Sequence, residues 1–223
     1  MTPGLLYTLT SITDPSLKST TYNTWYSTVH IPELMSIANG PSRAHRYKST
    51  NPTQRWQFLA LYPLADIAFT RPPEIAARVS SYHPVLPDGK SIWELIELEG
   101  RDYLFAGRYY GYRKVECDKA RWIVALETDA SELPKYMLAA NGDTYLEEVR
   151  YTQYSIHRAP TTMAGVNSPQ FHVPEELMIF ELDSDMSRGL LRRCMRGYRA
   201  IRCNCRFGSL FSTSIRLKRR LPR

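Results

Sequence analysis

The stretch TWYSTVHIPELM, Thr24 to Met35, brings Trp25, Tyr26 and His30 close together and sets Pro32 two residues after the histidine. It sits inside SLKSTTYNTWYSTVHIPELMSIA, Ser16 to Ala38, where Tyr22, Trp25, Tyr26 and Val29 recur three or four apart. That spacing predicts an amphipathic helix, and Asn39-Gly40-Pro41 ends it. Proline has no N–H to donate, so Pro32 leaves the Thr28 carbonyl without its helical partner and predicts a kink. Working outward, GLLYTLT (Gly4 to Thr10) reads as a strand before the helix, and RAHRYKS and RWQFLALYPL read as two strands after it, separated by the turn-like STNPTQ. ADIAFTRPPEIAARVSSY, Ala65 to Tyr82, predicts a second helix broken at Pro72 and Pro73. The proline-bearing loop HPVLPDGK then leads to a strand between Ile92 and Tyr112.

The rest of the chain can be laid over the same order. ARWIVALETD, TQYSIHRAP, EELMIFELDS and CRFGSLFSTSIRLKRR read as strands, while SELPKYMLAANGDTYLEEV and the basic MSRGLLRRCMRGYRAI read as helices. The expected class is α+β, with two β-α-β-β-α-β units, residues 1–114 and 119–223, joined through the polar KVECDKAR. Each unit makes a four-stranded antiparallel sheet with helices on one face and must bury the other. Two such sheets can cover each other as a closed barrel or an open sandwich, around a lined cavity if some inward residues are polar.

Composition fits an ordered globular chain: 43% hydrophobic and 23% charged residues. No apolar run reaches the roughly eighteen residues of a membrane span, and MTPGLLYTLT lacks the charged start of a secretory signal, so a cytoplasmic protein without membrane contact is expected. Cys117, Cys194, Cys203 and Cys205 have no disulfide-framework spacing. Cys203 and Cys205 share a strand face, but no further metal ligands lie nearby in sequence. The charge is divided: from Met186 onward there are 12 bases and no acids, whereas the first 185 residues carry 17 bases and 22 acids, a net of −5. The basic segment reads as a solvated helix face with a frayed end; without paired zinc ligands or an aromatic platform it does not point to nucleic acid. No G-x-S-x-G, phosphate-binding glycine loop or G-x-G-x-x-G is present, which argues against ATP- or NAD-dependent chemistry.

GLLYTLT, the helix sequence W-Y-x-x-V-H-I-P, Arg46-Tyr47 on the next strand and Leu59-Ala60-Leu61-Tyr62 on the third together resemble the fungal EthD-like proteins of the dimeric α+β barrel superfamily. The resemblance covers about the first 110 residues. It implies two tandem ferredoxin-like repeats packed as a pseudo-dimeric barrel within one chain, as a monomer or a homodimer. The chain departs from the pattern at Val29, where the family usually has glutamate. Its second half has no His-Ile-Pro, and its YMLAANGDTYLEEV offers only Tyr136 and Tyr145.

His30 is the leading candidate for chemistry, because an imidazole gives and takes protons near neutral pH. It lies one turn beyond Tyr26, so a phenol and an imidazole share a side of the helix; alternatively, His30 only packs at the kink. His45 and Tyr47 alternate with Arg46 on their strand, and a cavity-facing His45 could form an acid–base pair with His30. Tyr7, Trp25, Tyr47, Trp56, Tyr62 and Tyr103 or Tyr109 are candidates to hold a flat, partly oxygenated substrate or to form a plain aromatic core. His83 falls in the loop that would cover such a site, and His157 and His172 belong to no motif. The expectation is a cofactor-independent lyase, isomerase or cyclase acting on a small aromatic, polyketide-like or terpenoid intermediate. Cofactor-free oxygenation of a phenol, haem binding through one axial histidine, and simple ligand or stress binding are the alternatives.

Overall fold

The computed structural model describes residues 1–49, 51–70, 79–110, 122–128, 150–162, 175–182 and 205–208. Among the described residues, eight strands and three short α-helices form an α+β arrangement: β1 Gly4–Ile12, α1 Ser19–Trp25, α2 Ile31–Ser36, β2 His45–Ser49, β3 Phe58–Leu64, α3 Ile92–Leu95, β4 Ile96–Tyr110, β5 Trp122–Thr128, β6 Arg150–Thr162, β7 Glu176–Leu182 and β8 Cys205–Gly208. They close into a barrel in the order β1-β3-β2-β8-β5-β7-β6-β4, with antiparallel neighbours throughout. The sheet is therefore closed, the first of the two packings left open by the sequence. The order β4-β1-β3-β2 in the first half is matched by β8-β5-β7-β6 in the second, and the two runs meet at the β2–β8 and β4–β6 pairs.

Strand alternation sorts the side chains into two cores. Leu5, Tyr7 and Leu9 of β1, Tyr47 of β2, Leu59 and Leu61 of β3 and Tyr103 of β4 pack with Ile123, Ala125, Tyr154, Leu177 and Ile179 from the later strands. Residues from both ends of the strand order meet only in the bore, so this face is the barrel interior. The opposite face of the first half, with Phe58, Ala60 and Tyr62 of β3, packs against Tyr22, Trp25, Tyr26, Ile31 and Leu34 of the helical segment.

That helical segment is not uniform. Between α1 and α2, residues Tyr26–His30 form a π turn in which the Ile31 N–H donates to the Tyr26 carbonyl five residues back. The kink expected from Pro32 is thus realised as one extra residue in the ladder just before the proline. The extra residue changes the phase. At about 100° per residue, an unbroken α-helix through Tyr22 and Tyr26 would centre Val29 and Glu33 on the apolar face. Instead, His30 and Leu34 are buried, and Val29 and Glu33 lie at its flank. Glu33 is left free to accept from the Ser80 backbone N–H at 2.8 Å and its hydroxyl at 2.5 Å.

The helix stops where the sequence indicates. Asn39 takes a left-handed φ of 61°. A side chain at Gly40 would meet the carbonyls of Ile37 and Leu34 at 2.8 and 2.9 Å. The broken helix expected over Ala65 to Tyr82 is described only as the 3-10 turn Ile67–Thr70, since residues 71–78 lie outside the described residues. So do both helical segments expected in the second half, the linker, the basic segment beyond Gly208, and Tyr136, Tyr145, His172, Cys117, Cys194 and Cys203. Among the described residues, no helix is long and apolar enough to cross a membrane.

Candidate functional site

The site is built on the face that the π turn brings inward. Trp25, Tyr26 and His30 are buried between the helix and the outer face of β1–β3, with relative exposures of 0%, 1% and 7%. The His30 ring lies 5.1 Å from Trp25, 29° from parallel, and 4.6 Å from Tyr26. From β3, the Tyr62 hydroxyl donates to the Tyr26 hydroxyl at 2.9 Å. From β2, the Arg46 guanidinium lies 4.2 Å from the centre of the Tyr26 ring and 5.4 Å from that of Tyr22. Arg46 is held by the helix itself: Nη2 donates to Asn23 Oδ1 at 2.9 Å, and Nη1 donates to Ser27 Oγ at 3.1 Å and the Asn23 carbonyl at 3.4 Å.

Several buried polar atoms here are unsatisfied. Among the described residues, His30 Nδ1, Trp25 Nε1 and Tyr22 Oη find no hydrogen-bond partner, the last lying near Thr10 and Arg46 without bonding geometry. A polar group buried without a partner costs about 1–3 kcal/mol, and three on one helix face are an unusual concentration.

The electrostatics set the protonation states. Burial first, and the positive charge of Arg46 second, push His30 down from 6.5 to about 3, so its imidazole is neutral. Burial raises the phenols of Tyr22, Tyr26 and Tyr62, so all three keep their protons. A neutral imidazole, a linked pair of phenols and a guanidinium thus share one apolar compartment. Chemically, this is a proton acceptor beside donors and a positive charge that can stabilise a developing oxyanion.

The other candidates lie elsewhere. Tyr7, Tyr47 and Tyr103 belong to the barrel interior, and Trp56 packs at its edge under the Arg55 guanidinium, 4.7 Å away. His45 shares the Tyr47 side of β2 and Arg46 takes the other, so the strand itself separates His45 from His30. The candidates therefore divide into Trp25, Tyr26, His30 and Tyr62 on one side of the sheet and His45, Tyr7, Tyr47, Trp56 and Tyr103 on the other. His83 stabilises its own loop by accepting from the Val85 N–H through Nδ1, and His157 is exposed on β6. The side chain of Tyr109 lies outside the described parts.

The bore contains a polar cluster that motif reading missed. Arg101 Nε donates to Glu99 at 2.5 Å, and Arg101 Nη1 lies 2.8 Å from Glu127, an ion contact without hydrogen-bond alignment. The Tyr7 hydroxyl donates to the other oxygen of Glu127 at 3.1 Å, directly across the barrel from β1 to β5. Burial disfavours a charged Arg101, but Glu127, then Tyr103 and Glu99, more than offset it and hold the guanidinium charged. Tyr103 is pushed up to about 12, chiefly by burial. Arg46 was also missed as a site residue, although its alternation with Tyr47 was the available signal. Among the described residues, no group of three or more His, Cys, Asp or Glu side chains is arranged to hold a metal ion.

No family model matches the chain. It is similar to Core atranone cluster (CAC) protein 1 of Stachybotrys chlorohalonatus, with 33% identity over 104 residues. The match takes in 45% of this chain and 43% of that protein, so the chain spans less than half the length of the curated relative it matches.

Proposed function

We propose that this chain is a cofactor-independent enzyme of fungal secondary metabolism, distantly EthD-like, that moves a proton within a small aromatic, polyketide-like or terpenoid intermediate. The reaction is a cyclisation, isomerisation, dehydration or decarboxylation. The observation that carries this reading is His30, buried with Nδ1 unpartnered among the described residues, its ring against Tyr26 and within the field of Arg46. Similarity to a protein named for a fungal core cluster supports the metabolic setting. The matching strand orders β4-β1-β3-β2 and β8-β5-β7-β6 support two tandem ferredoxin-like repeats, residues 1–114 and 119–223, packed as an intrachain pseudo-dimer.

In this mechanism His30 accepts the substrate proton at its free nitrogen and returns it at another atom. An imidazole held near 3 is a poor base in the empty site, so transfer becomes favourable only as negative charge develops on the substrate beside it. Tyr26, oriented by Tyr62, donates to that developing oxyanion, and Arg46 stabilises its charge. Trp25 supplies a flat wall and an N–H donor.

The test uses the metabolite that accumulates when the gene is deleted from its host. The purified protein should convert it without added cofactor, in air and under nitrogen alike, and His30→Gln should lower turnover by about a hundredfold. Unchanged turnover in a folded His30→Gln would remove the histidine from the mechanism. Conversion only in air would make the protein an oxygenase, and tight binding without conversion would make it a binding protein.

A further inference from the structure

We infer that the molecule bound beside His30 carries a planar oxyanion, a carboxylate or an ionised phenol or enol, that docks on Arg46. The inference rests on the reading above and adds the class of substrate. Arg46 is partly buried, and its hydrogen bonds go to three neutral oxygens: the Asn23 carbonyl, Asn23 Oδ1 and Ser27 Oγ. Among the described residues, no carboxylate comes within ion-pairing distance of it, whereas Arg55 and Lys90 each have one and Arg101 has two. A guanidinium drawn into an apolar layer normally has a compensating anion, because removing its water is costly. Here the helix fixes the orientation of Arg46 and leaves its charge uncompensated.

The groups around Arg46 extend the argument. His30 Nδ1 and Trp25 Nε1 are both buried and unbonded, so a bound molecule would find polar partners on the same helix face. The surrounding aromatic side chains of Tyr22, Trp25 and Tyr26 suit a conjugated molecule. A conjugated ligand with one anionic oxygen group at Arg46 would satisfy the charge and the aromatic surroundings together.

The test is calorimetric binding to the full chain at low salt, using naphthoate as the carboxylate, para-nitrophenolate as the ionised phenol and naphthamide as the uncharged control. Naphthoate or nitrophenolate should bind at least about tenfold tighter than naphthamide, and the tighter of the two identifies the source of the oxyanion. Arg46→Met should erase that gap while leaving naphthamide binding in place, and Arg46→Lys should restore part of it. If neither naphthoate nor nitrophenolate binds tighter than naphthamide in the unmodified protein, the proposal is overturned, as it is if both anions fail to saturate at millimolar concentration. A preference that survives Arg46→Met overturns it too. Should Arg46→Met fail to fold, the unmodified protein and Arg46→Lys still decide. Loss of this preference with His30-dependent turnover intact sinks only the substrate class, whereas the reverse result sinks only the role of His30.

Discussion

The two faces of the first-half sheet bury polar groups in opposite ways. In the bore, Arg101 meets Glu99 and Glu127, and Glu127 meets Tyr7 across the barrel, so the charges are paired although the Tyr103 hydroxyl makes no hydrogen bond among the described residues. Under the helix, among the described residues, Arg46 has only neutral acceptors, and His30 and Trp25 leave polar atoms unbonded. A charged cluster that supplies its own partners is a structural solution, while one that lacks them is held ready for something else. The distinction directs attention to the helix side, although the bore holds more charge.

The largest effect that would break this comparison is expected in the bore. Arg101→Met leaves two buried carboxylates uncompensated and should cost about 3–5 kcal/mol in chemical denaturation. Adding Glu99→Leu and Glu127→Leu should recover much of it, and a loss well below 1 kcal/mol for the single variant would mean that the cluster is not structural. On the helix side the effect should fall on turnover: a hundredfold loss in His30→Gln corresponds to about 2.7 kcal/mol of transition-state stabilisation, with little change in stability.

Acid should sharpen the contrast further. His30 is depressed to about 3 from 6.5, so the unfolded chain takes up its proton first as the pH falls. The stability gained by keeping the imidazole neutral is fully present above 6.5 and is lost as the pH drops towards 3. Between neutrality and about pH 5 the unmodified protein should therefore lose roughly 2 kcal/mol more than His30→Phe, measured by denaturation at both pH values. Equal losses would mean that His30 is not held neutral. Smallest of all, Tyr62→Phe removes one buried hydrogen bond and should cost about 1 kcal/mol by thermal unfolding.

Much of the fold was legible because its signals are local. Gly4–Ile12, Phe58–Leu64 and Glu176–Leu182 are apolar runs of strand length, and Asn39-Gly40 punctuates the helix as its chemistry requires. The strand alternation of His45, Arg46 and Tyr47 was legible too, but not which side faces the bore, because the closure of the sheet decides that. The ion cluster was hidden for the same reason: Arg101 and Glu127 are 26 residues apart and meet only through the closed strand order. The site was half legible. His30, Tyr26 and Trp25 stand out as a dense aromatic stretch, whereas Arg46 carries no local signal beyond its alternation with His45 and Tyr47. The periodicity favoured Val29 as an inward position, since a 3.6-residue repeat has no means of registering an inserted π turn.

That turn also governs how the chain tolerates changes in length. Deleting one residue from Tyr26–His30 would cancel the extra residue and restore an unbroken α-helix in which Ile31–Ser36 keep their phase. Leu34 would stay inward and Glu33 at the flank, whereas closing the turn without losing a residue would swing Glu33 towards the apolar layer and Leu34 away from it. A surface loop can lose a residue almost anywhere; this helix absorbs a lost codon inside the turn, where it cancels the extra residue, and is thrown out of phase by one lost from Ser19–Trp25.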